Sequence, residues 1–531
     1  MKYFGWIFLF FIMLYIVPLG SRPLLLPEFD TAAITREMVL SGHYFPSPVI
    51  ETIAGNEIPP MIYWITAGSY KLFGINGFAT RLPSALAVGI TALLIALLIK
   101  QHLRDEKLAA LSATIFLSFS LVLLAGSVGS PLMWSIMAVT GVLSTLFLAA
   151  QEPVFNRRQI LLTILGGLFT ALGFLTLGNG AWFFPAMILI PYLVFSGKFR
   201  NLAIIIPGWL IFTFLPLLPW LGQLIQNPDL WNGFFSFAAY KAEIGTYPWY
   251  IYLLNVIIGL FPVWVLLPAA MMTGKDAWKK LWNQELCRFA VLSIVLPLVY
   301  FLIFRRSITG LTVLTFPPLA ILTAMGLQAY FNNGGHHRSF DWMLNIWSFI
   351  LLICGISEVV LWFMPEKVLN YFSILPFTQT VLLPLGVASL LGGSVLLYSM
   401  RGNWRSRLYL YFFTIAILPL GISWCFRPNY AMPETMIRCF IEQKEMQAEN
   451  AIIYTSAELA PAIDWCSENG TEILDICFFD QKDLTNNNKT VYVILGTDDH
   501  FWEAYPQYQQ MIKSGSLSCA RYPRAVKKDQ P

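Results

Sequence analysis

The sequence predicts an all-α polytopic membrane protein, with about thirteen membrane-crossing helices, interfacial helices in its first outer loop and a small C-terminal α/β domain. Three observations lead there. Of 531 residues, 57% are hydrophobic and only 12% are charged, with a mean hydropathy of +0.62; soluble chains carry about 25% charge. Aromatic residues reach 15%, including 18 Trp, as long lipid-facing surfaces with aromatic belts require. Residues 427–531 then shift abruptly to polar runs such as E-Q-K-E-M-Q-A-E-N and D-Q-K-D-L-T-N-N-N-K-T.

The first apolar run follows a single Lys2 and lacks a small-residue cleavage site, so it reads as a retained span. Further apolar stretches fall near 80–99, 108–125, 132–150, 160–178, 181–195, 202–222, 249–272, 289–304, 311–329, 342–363, 379–398 and 408–426. With Lys2 inside, the inner loops hold Lys100, Lys107, Arg157, Arg158, Lys198, Lys279, Lys280 and Arg401 among other cations. The short outer loops beyond residue 100 hold little more than Lys241, Arg305, Arg306 and Lys367. This bias predicts a cytoplasmic N-terminus and a C-terminal domain on the opposite side of the membrane. A net charge of +4 implies no nucleic-acid partner.

Two outer segments are long. In residues 21–79, Pro27 precedes a helix with Glu28 and Asp30 in its first turn, where acids favour the helix dipole. Gly42 is the expected stop. A second helix starts at Pro59–Pro60 and runs through M-I-Y-W-I-T-A-G-S-Y-K-L-F to Gly74. Its Tyr63, Trp64, Tyr70 and Phe73 suit a membrane interface. Glu57 lies just before the double proline, as a catalytic acid or as the polar end of that helix. In residues 427–531, A-I-I-Y-T, I-L-D-I-C-F-F and V-Y-V-I-L-G read as strands. E-L-A-P-A-I-D-W-C-S-E-N-G and H-F-W-E-A-Y-P-Q-Y-Q-Q-M-I-K read as helices. Cys439, Cys466, Cys477 and Cys519 either form up to two disulfides, in any of three connectivities, or remain free thiols.

R-E-M-V-L-S-G-H-Y, then E-I-P-P-M-I-Y-W-I-T-A-G-S-Y-K-L-F-G-I-N-G-F-A-T-R-L-P-S-A-L, together with N-P-D-L-W-N-G-F-F, P-W-Y-I-Y-L-L and F-P-P-L-A-I-L, resemble the lipid A aminoarabinose transferases. These belong to the protein-mannosyltransferase-like glycosyltransferases of GT-C fold. The resemblance implies a GT-C-like membrane domain over residues 1–426 and a periplasmic domain over 427–531. It implies transfer of a sugar from a polyprenyl-phosphate donor to lipid A or another envelope acceptor, among membrane lipids, at the outer face. A phosphate leaving group needs cations or strong donors aimed at it, and a hydroxyl acceptor needs a base.

The departures fall on polar chemistry. The family's D-E-x-R-Y is matched by Pro27, Glu28, Phe29, Asp30 and Thr31, and its E-K-P-P by Glu57, Ile58, Pro59 and Pro60. Its D-x-P-L is matched by Gly129, Ser130, Pro131 and Leu132. A Glu-His pair falls on Ala238 and Ala239, and S-K-L-P on Arg306, Ser307, Ile308 and Thr309. The family's histidine is a metal ligand paired with the Glu at position 57; a divalent metal stays open, with Glu28 and Asp30 as alternative ligands, but without that histidine no metal site is assigned here. His102, His336 and His337 sit in inner loops, and His43 is a solvated loop residue on this reading.

The candidates are therefore Glu28, Asp30 and Glu57 as catalytic acids or bases. Arg81, Lys241, Arg305, Arg306 and Tyr63 are the candidates for substrate or phosphate binding. Convergence on one outer cavity favours an enzyme. Scatter favours a non-catalytic scaffold that binds a lipid-linked sugar or partners an active transferase. A transporter would keep ionisable groups along its spans, and Glu358 is nearly alone there.

Overall fold

The structure, a computed structural model, describes residues 2–20, 24–44, 60–225, 248, 250–271, 275–304, 309–332, 337–364, 379–399, 407–415, 451–455, 459, 463, 472–475, 490–496, 512–514 and 517–522. The predicted periodicities appear as helices in the expected order. Helix α1 (Lys2–Phe11) continues through a π turn at Ile12–Ile16, followed by α2 (Leu26–Ser41), α3 (Met61–Phe73) and α4 (Gly77–Leu103). Next come α5 (Glu106–Ser118), α6 (Ser120–Ser127), α7 (Leu132–Ala149), α8 (Arg157–Leu177), α9 (Gly180–Phe195) and α10 (Phe199–Ile225). The rest of the bundle is α11 (Tyr250–Gly259), α12 (Leu267–Met271), α13 (Lys275–Trp282), α14 (Glu285–Phe304), α15 (Phe316–Asn332), α16 (His337–Trp362) and α17 (Gln379–Tyr398).

Among the described residues, seven helices are long and apolar enough to cross a membrane. A bent pair, α5 with α6, adds an eighth, and four shorter apolar helices accompany them. The chain is a multi-pass helical membrane protein. Each of the thirteen expected stretches overlaps a described helix, although several are shorter than a full span.

The stretch 108–125 is not the single straight helix expected. It bends by 67° between α5 and α6. Phe119 there is extended (φ −67°, ψ 129°), and its ring meets Phe316 edge-on at 5.0 Å. The freed Ser120 amide donates to the Phe261 carbonyl at 2.8 Å. An outside partner thus replaces the lost helical bond. The stretch 249–272 is broken as well, between Gly259 and a 3₁₀ turn at Val263–Val265, by Pro262.

Local sequence sets the starts and stops. Asn76 caps α4 by accepting from the Ala79 amide at 2.8 Å, and Asp105 caps α5 by accepting from Lys107 and Leu108. Gly42, with φ +74°, ends α2, and Gly74, with φ +78°, ends α3, as read from the sequence. Helix α7 is buried on almost all sides among α4, α8 and α9. Helices α10 and α16 instead expose apolar stripes, including Ile211, Leu215, Leu218 and Phe349, Ile353, Ile356.

At one end of the bundle, helix ends are tied together by polar side chains. Lys198 pairs with Glu285 at 2.6 Å and donates to Gln151 at 2.7 Å. Tyr192 donates to the same Glu285 oxygen at 2.8 Å, and Gln151 donates to the Tyr192 hydroxyl at 2.9 Å. Arg158 joins Glu152 at 3.0 Å, and Gln328 reaches Asp105 at 2.5 Å. These are the ends the charge pattern assigns to inner loops.

Helices α16 and α17 form a tight hairpin. Gly355, Gly386 and Gly393 sit where a Cβ would come within 2.8–3.0 Å of the facing helix, including the Gly386, Gly355 and Ser348 carbonyl oxygens. Within it, Ser389 donates to Glu358 at 3.1 Å.

The C-terminal segment forms a five-stranded sheet of order β2-β1-β3-β5-β4. Its strands are β1 (Ala451–Thr455), β2 (Glu472–Asp475), β3 (Thr490–Gly496), β4 (Ile512–Ser514) and β5 (Leu517–Tyr522). Strand β1 pairs parallel with both β2 and β3, whereas β5 runs antiparallel to β3 and β4. The three expected strands are present, but β4 and β5 were not anticipated. Ile512 and Lys513, read as the tail of a helix, instead pair with Cys519 and Ser518. The strand wins because Ile512–Ser514 finds an antiparallel partner in β5. Cys439, Cys466 and Cys477, on which the disulfide expectation rests, lie outside the described residues.

A Gly355→Leu substitution is expected to force the α16–α17 hairpin apart and cost about 1–3 kcal/mol. It should appear as a lowered melting temperature of the detergent-purified protein. A melting temperature equal to the parent's refutes the close contact.

Candidate functional site

The end of the bundle opposite the polar ties is covered by α2 and α3, the helices expected from residues 21–79. Leu25 stands at the N-cap of α2, and Glu28, three residues on, accepts from the Leu25 amide at 2.7 Å while its own amide donates to the Leu25 carbonyl at 2.8 Å. The dipole-favoured acid of the sequence therefore caps its own helix. It also does more. Glu28 and Arg81 are both fully buried. Arg81 Nε donates to Glu28 Oε1 at 2.7 Å, and a second guanidinium nitrogen donates to Oε2 at 2.8 Å. The Gly129 amide donates to Oε1 at 3.0 Å. The remaining face of Arg81 donates to the Leu19 carbonyl at 3.0 Å. One ion pair thus joins the exit of the first helix, α2, α4 and the loop before α7.

The sequence assigned Glu28 to catalysis and Arg81 to phosphate binding. The structure joins them to each other. Both Glu28 oxygens are occupied by donors, and the Arg81 guanidinium is spread between a carboxylate and a backbone carbonyl.

Asp30 lies one step further along α2, half-buried. Among the described residues it has no ion pair and no hydrogen bond. Burial raises its carboxyl above the ordinary aspartate value of 3.8. Tyr63, buried on α3, senses it: its hydroxyl is pushed up by burial and then by the Asp30 charge. So Asp30 and Tyr63, nominated separately, lie on two helices that pack on each other, near enough for the Asp30 charge to act on the Tyr63 hydroxyl. Further along α3, the Tyr70 hydroxyl shares a 2.7 Å hydrogen bond with Thr80. Tyr44 is held by Trp64, whose indole donates to its carbonyl at 2.5 Å, and by Lys71, 4.4 Å above its ring. Glu57, Lys241, Arg305 and Arg306 lie outside the described residues, as do Ala238 and Ala239.

Two features escaped the sequence reading. The hydroxyls of Thr66 and Ser69 are buried on α3 without a hydrogen-bond partner among the described residues, and nothing in an apolar helical pattern marks them. Gly129 is the second. A Cβ there would lie 2.9 Å from Thr80 Cγ2 and 3.0 Å from the Thr80 carbonyl oxygen. The position where the family pattern has Asp is therefore closed by α4 backbone. A motif comparison detects the missing acid but not the closure.

Among the described residues, no group of three His, Cys, Asp or Glu side chains is placed to hold a metal ion. At the family's histidine position this chain has Ala239, which offers no donor atom. The metal site implied by the resemblance does not fit this donor set, and no step is routed through it.

The comparisons with known proteins agree with this architecture. The sequence profile of the dolichyl-phosphate-mannose-protein mannosyltransferases matches residues 57–222. The undecaprenyl phosphate-alpha-4-amino-4-deoxy-L-arabinose arabinosyl transferase of Shewanella sediminis is 29% identical over 92% of this chain and 87% of its own length. The same-named protein of Pseudomonas savastanoi is 31% identical over 61% of each chain. Among solved structures, ArnT of Cupriavidus metallidurans in the apo state superposes with a TM-score of 0.75 over 100% of both chains, at 19% identity. Its complex with undecaprenyl phosphate gives 0.73 over 99% of both. The Archaeoglobus fulgidus oligosaccharyltransferase in its apo form gives 0.51, at 10% identity, over 93% of this chain and 69% of its own.

The helical bundle, capped by two short helices between its first two long ones, shares the fold of these solved membrane transferases. In sequence the chain is similar along most of its length to the undecaprenyl phosphate-alpha-4-amino-4-deoxy-L-arabinose arabinosyl transferases.

Two outcomes are expected from the geometry. Glu28→Ala leaves Arg81 buried without its counter-charge and should cost about 3–5 kcal/mol, seen as a large loss of melting temperature and yield. Restoring the family residue with Gly129→Asp should also lower the melting temperature, because the new side chain meets Thr80 backbone. A stable Gly129→Asp protein refutes the closure.

Proposed function

We propose that the protein transfers a sugar from a polyprenyl-phosphate donor to lipid A or another envelope lipid, on the periplasmic face of a bacterial inner membrane. The observation that carries this reading is the match to the arabinosyl transferases along nearly the whole chain. The fold, shared with ArnT from end to end, supports it.

In this reaction the bond between the anomeric carbon and the donor phosphate oxygen breaks. An acceptor oxygen forms the new bond, and polyprenyl phosphate leaves. Asp30, a carboxylate without a partner among the described residues and made more basic by burial, takes the acceptor proton or orients the acceptor. The Tyr63 hydroxyl, held protonated, donates to an oxygen of the reacting groups. Lys241, Arg305 and Arg306 supply the charge that a departing phosphate needs, Arg being suited to bidentate contact. Glu57, which precedes α3 in the sequence, is a second candidate acid. The N-terminus is cytoplasmic and the sheet domain periplasmic, as the distribution of Lys and Arg favours.

A second reading keeps the fold without the chemistry, with the protein binding a lipid-linked sugar or partnering an active transferase. The closed Gly129 position favours it, as does the mutual pairing of Glu28 and Arg81. The transporter reading is weaker, since Glu358 is bonded to Ser389 within one hairpin.

Detergent-purified protein given a panel of polyprenyl-phosphate sugars and lipid A should yield a glycosylated lipid by mass spectrometry. Asp30→Asn should lower kcat by about 10²- to 10⁴-fold. The wild-type rate should fall on the acid side, because protonation removes the base. That limb should sit above pH 3.8, since burial raises the Asp30 carboxyl. Binding of undecaprenyl phosphate with no product from any donor selects the second reading.

A further inference from the structure

We propose that the Glu28–Arg81 pair is a positioning device for the Asp30–Tyr63 face, built in place of the acidic side chain that the family pattern has at residue 129. This inference rests on the glycosyl-transfer reading above and assigns the pair a role distinct from catalysis.

Glu28 is saturated. Its two oxygens accept from the Leu25 amide, two Arg81 nitrogens and the Gly129 amide. Taking a substrate proton would break at least one of these bonds in a site closed to water. Arg81 is equally committed, through Leu19 and Glu28. Neither side chain is free to meet a lipid phosphate or an acceptor.

What the pair does control is the roll of α2. Residues two apart on a helix point about 200° from each other. With Glu28 held inward against α4 and Gly129, Asp30 emerges on the other side of α2. There it remains half-buried and acts on Tyr63. A roll of one residue, about 100°, would carry Asp30 off that face. The pair fixes the angle with charge-assisted bonds to three separate segments. At Gly129, the acceptor for the amide comes from α2 instead of from a side chain at 129, whose space Thr80 fills.

The test uses the full-length detergent-purified protein with Glu28→Gln, Arg81→Gln, the Glu28→Gln/Arg81→Gln double variant and Asp30→Asn. Donor-concentration series are run across pH, and hydrogen–deuterium exchange is followed on peptides spanning residues 24–44, 61–73 and 120–132. Each single amide variant is expected to lose about tenfold to a hundredfold in kcat, as a displaced reacting group does. The donor KM should stay within about threefold, and the acid limb of the rate profile should remain. Exchange should rise in all three peptides. The double variant, in which two amides can bond each other, should recover part of the rate. Disappearance of the acid limb in Glu28→Gln overturns the proposal, because Glu28 would then be the reacting base. Wild-type kcat in Glu28→Gln also overturns it. If the parent protein transfers no sugar, the glycosyl-transfer reading fails, and exchange alone decides the positioning role. Unchanged exchange over residues 24–44 and 61–73 in Glu28→Gln then overturns it, and raised exchange supports it.

Discussion

One buried ion pair organises the site end of this protein. Taking Glu28 and Arg81 out of water is costly, and the cost is offset only because each charge meets several well-placed groups. Those groups come from the exit of the first helix, the cap of α2, the first turns of α4 and the loop before α7. Segments more than a hundred residues apart along the chain therefore depend on a single polar contact. Apolar packing cannot supply this, since lipid tails are as apolar as the helices and give little preference for one arrangement.

That dependence divides the molecule into two kinds of surface. At the end of the bundle whose loops the charge pattern assigns to the inside, Lys198, Glu285, Tyr192 and Gln151 satisfy one another and tie helix ends together. At the opposite end, Glu28 and Arg81 are equally satisfied, yet Asp30 has no partner among the described residues, and the Thr66 and Ser69 hydroxyls are buried without one. Unmet polar groups beside a satisfied frame are how a reactive site differs from a structural one. The glycines show the same economy of space. Gly129 is closed by Thr80 backbone, and Gly355 and Gly386 let two helices touch.

Much of the fold was legible in the sequence because its signals are local. Apolar runs gave the helices, the double proline placed the start of α3 one residue past Pro60, and Gly42 and Gly74 marked the ends of α2 and α3. The break at Phe119 was not legible, because it depends on a ring from α15 and a carbonyl before the turn at Val263. Strands β4 and β5 were missed for a similar reason. Ile512 and Lys513 carry no alternation long enough to declare a strand, and their partner in β5 decides them. Within the site, Asp30 and Tyr63 were nominated from acid placement and from the resemblance, but nothing in the sequence joined them.

By itself the sequence determined the class of the protein: a polytopic helical chain, polarised by its Lys and Arg, with a polar sheet-forming tail and a first outer loop carrying acids. Hydropathy, charge bias and turn chemistry act over a few residues, so they can be read in order along the chain. Only the tertiary structure decided that Glu28 belongs to Arg81, that Asp30 has no partner among the described residues where α2 packs on α3, and that an acidic side chain no longer fits at Gly129. Those outcomes depend on which charges meet when helices distant in sequence pack together. Buried electrostatics is settled by distance in space, and a linear sequence does not contain that distance.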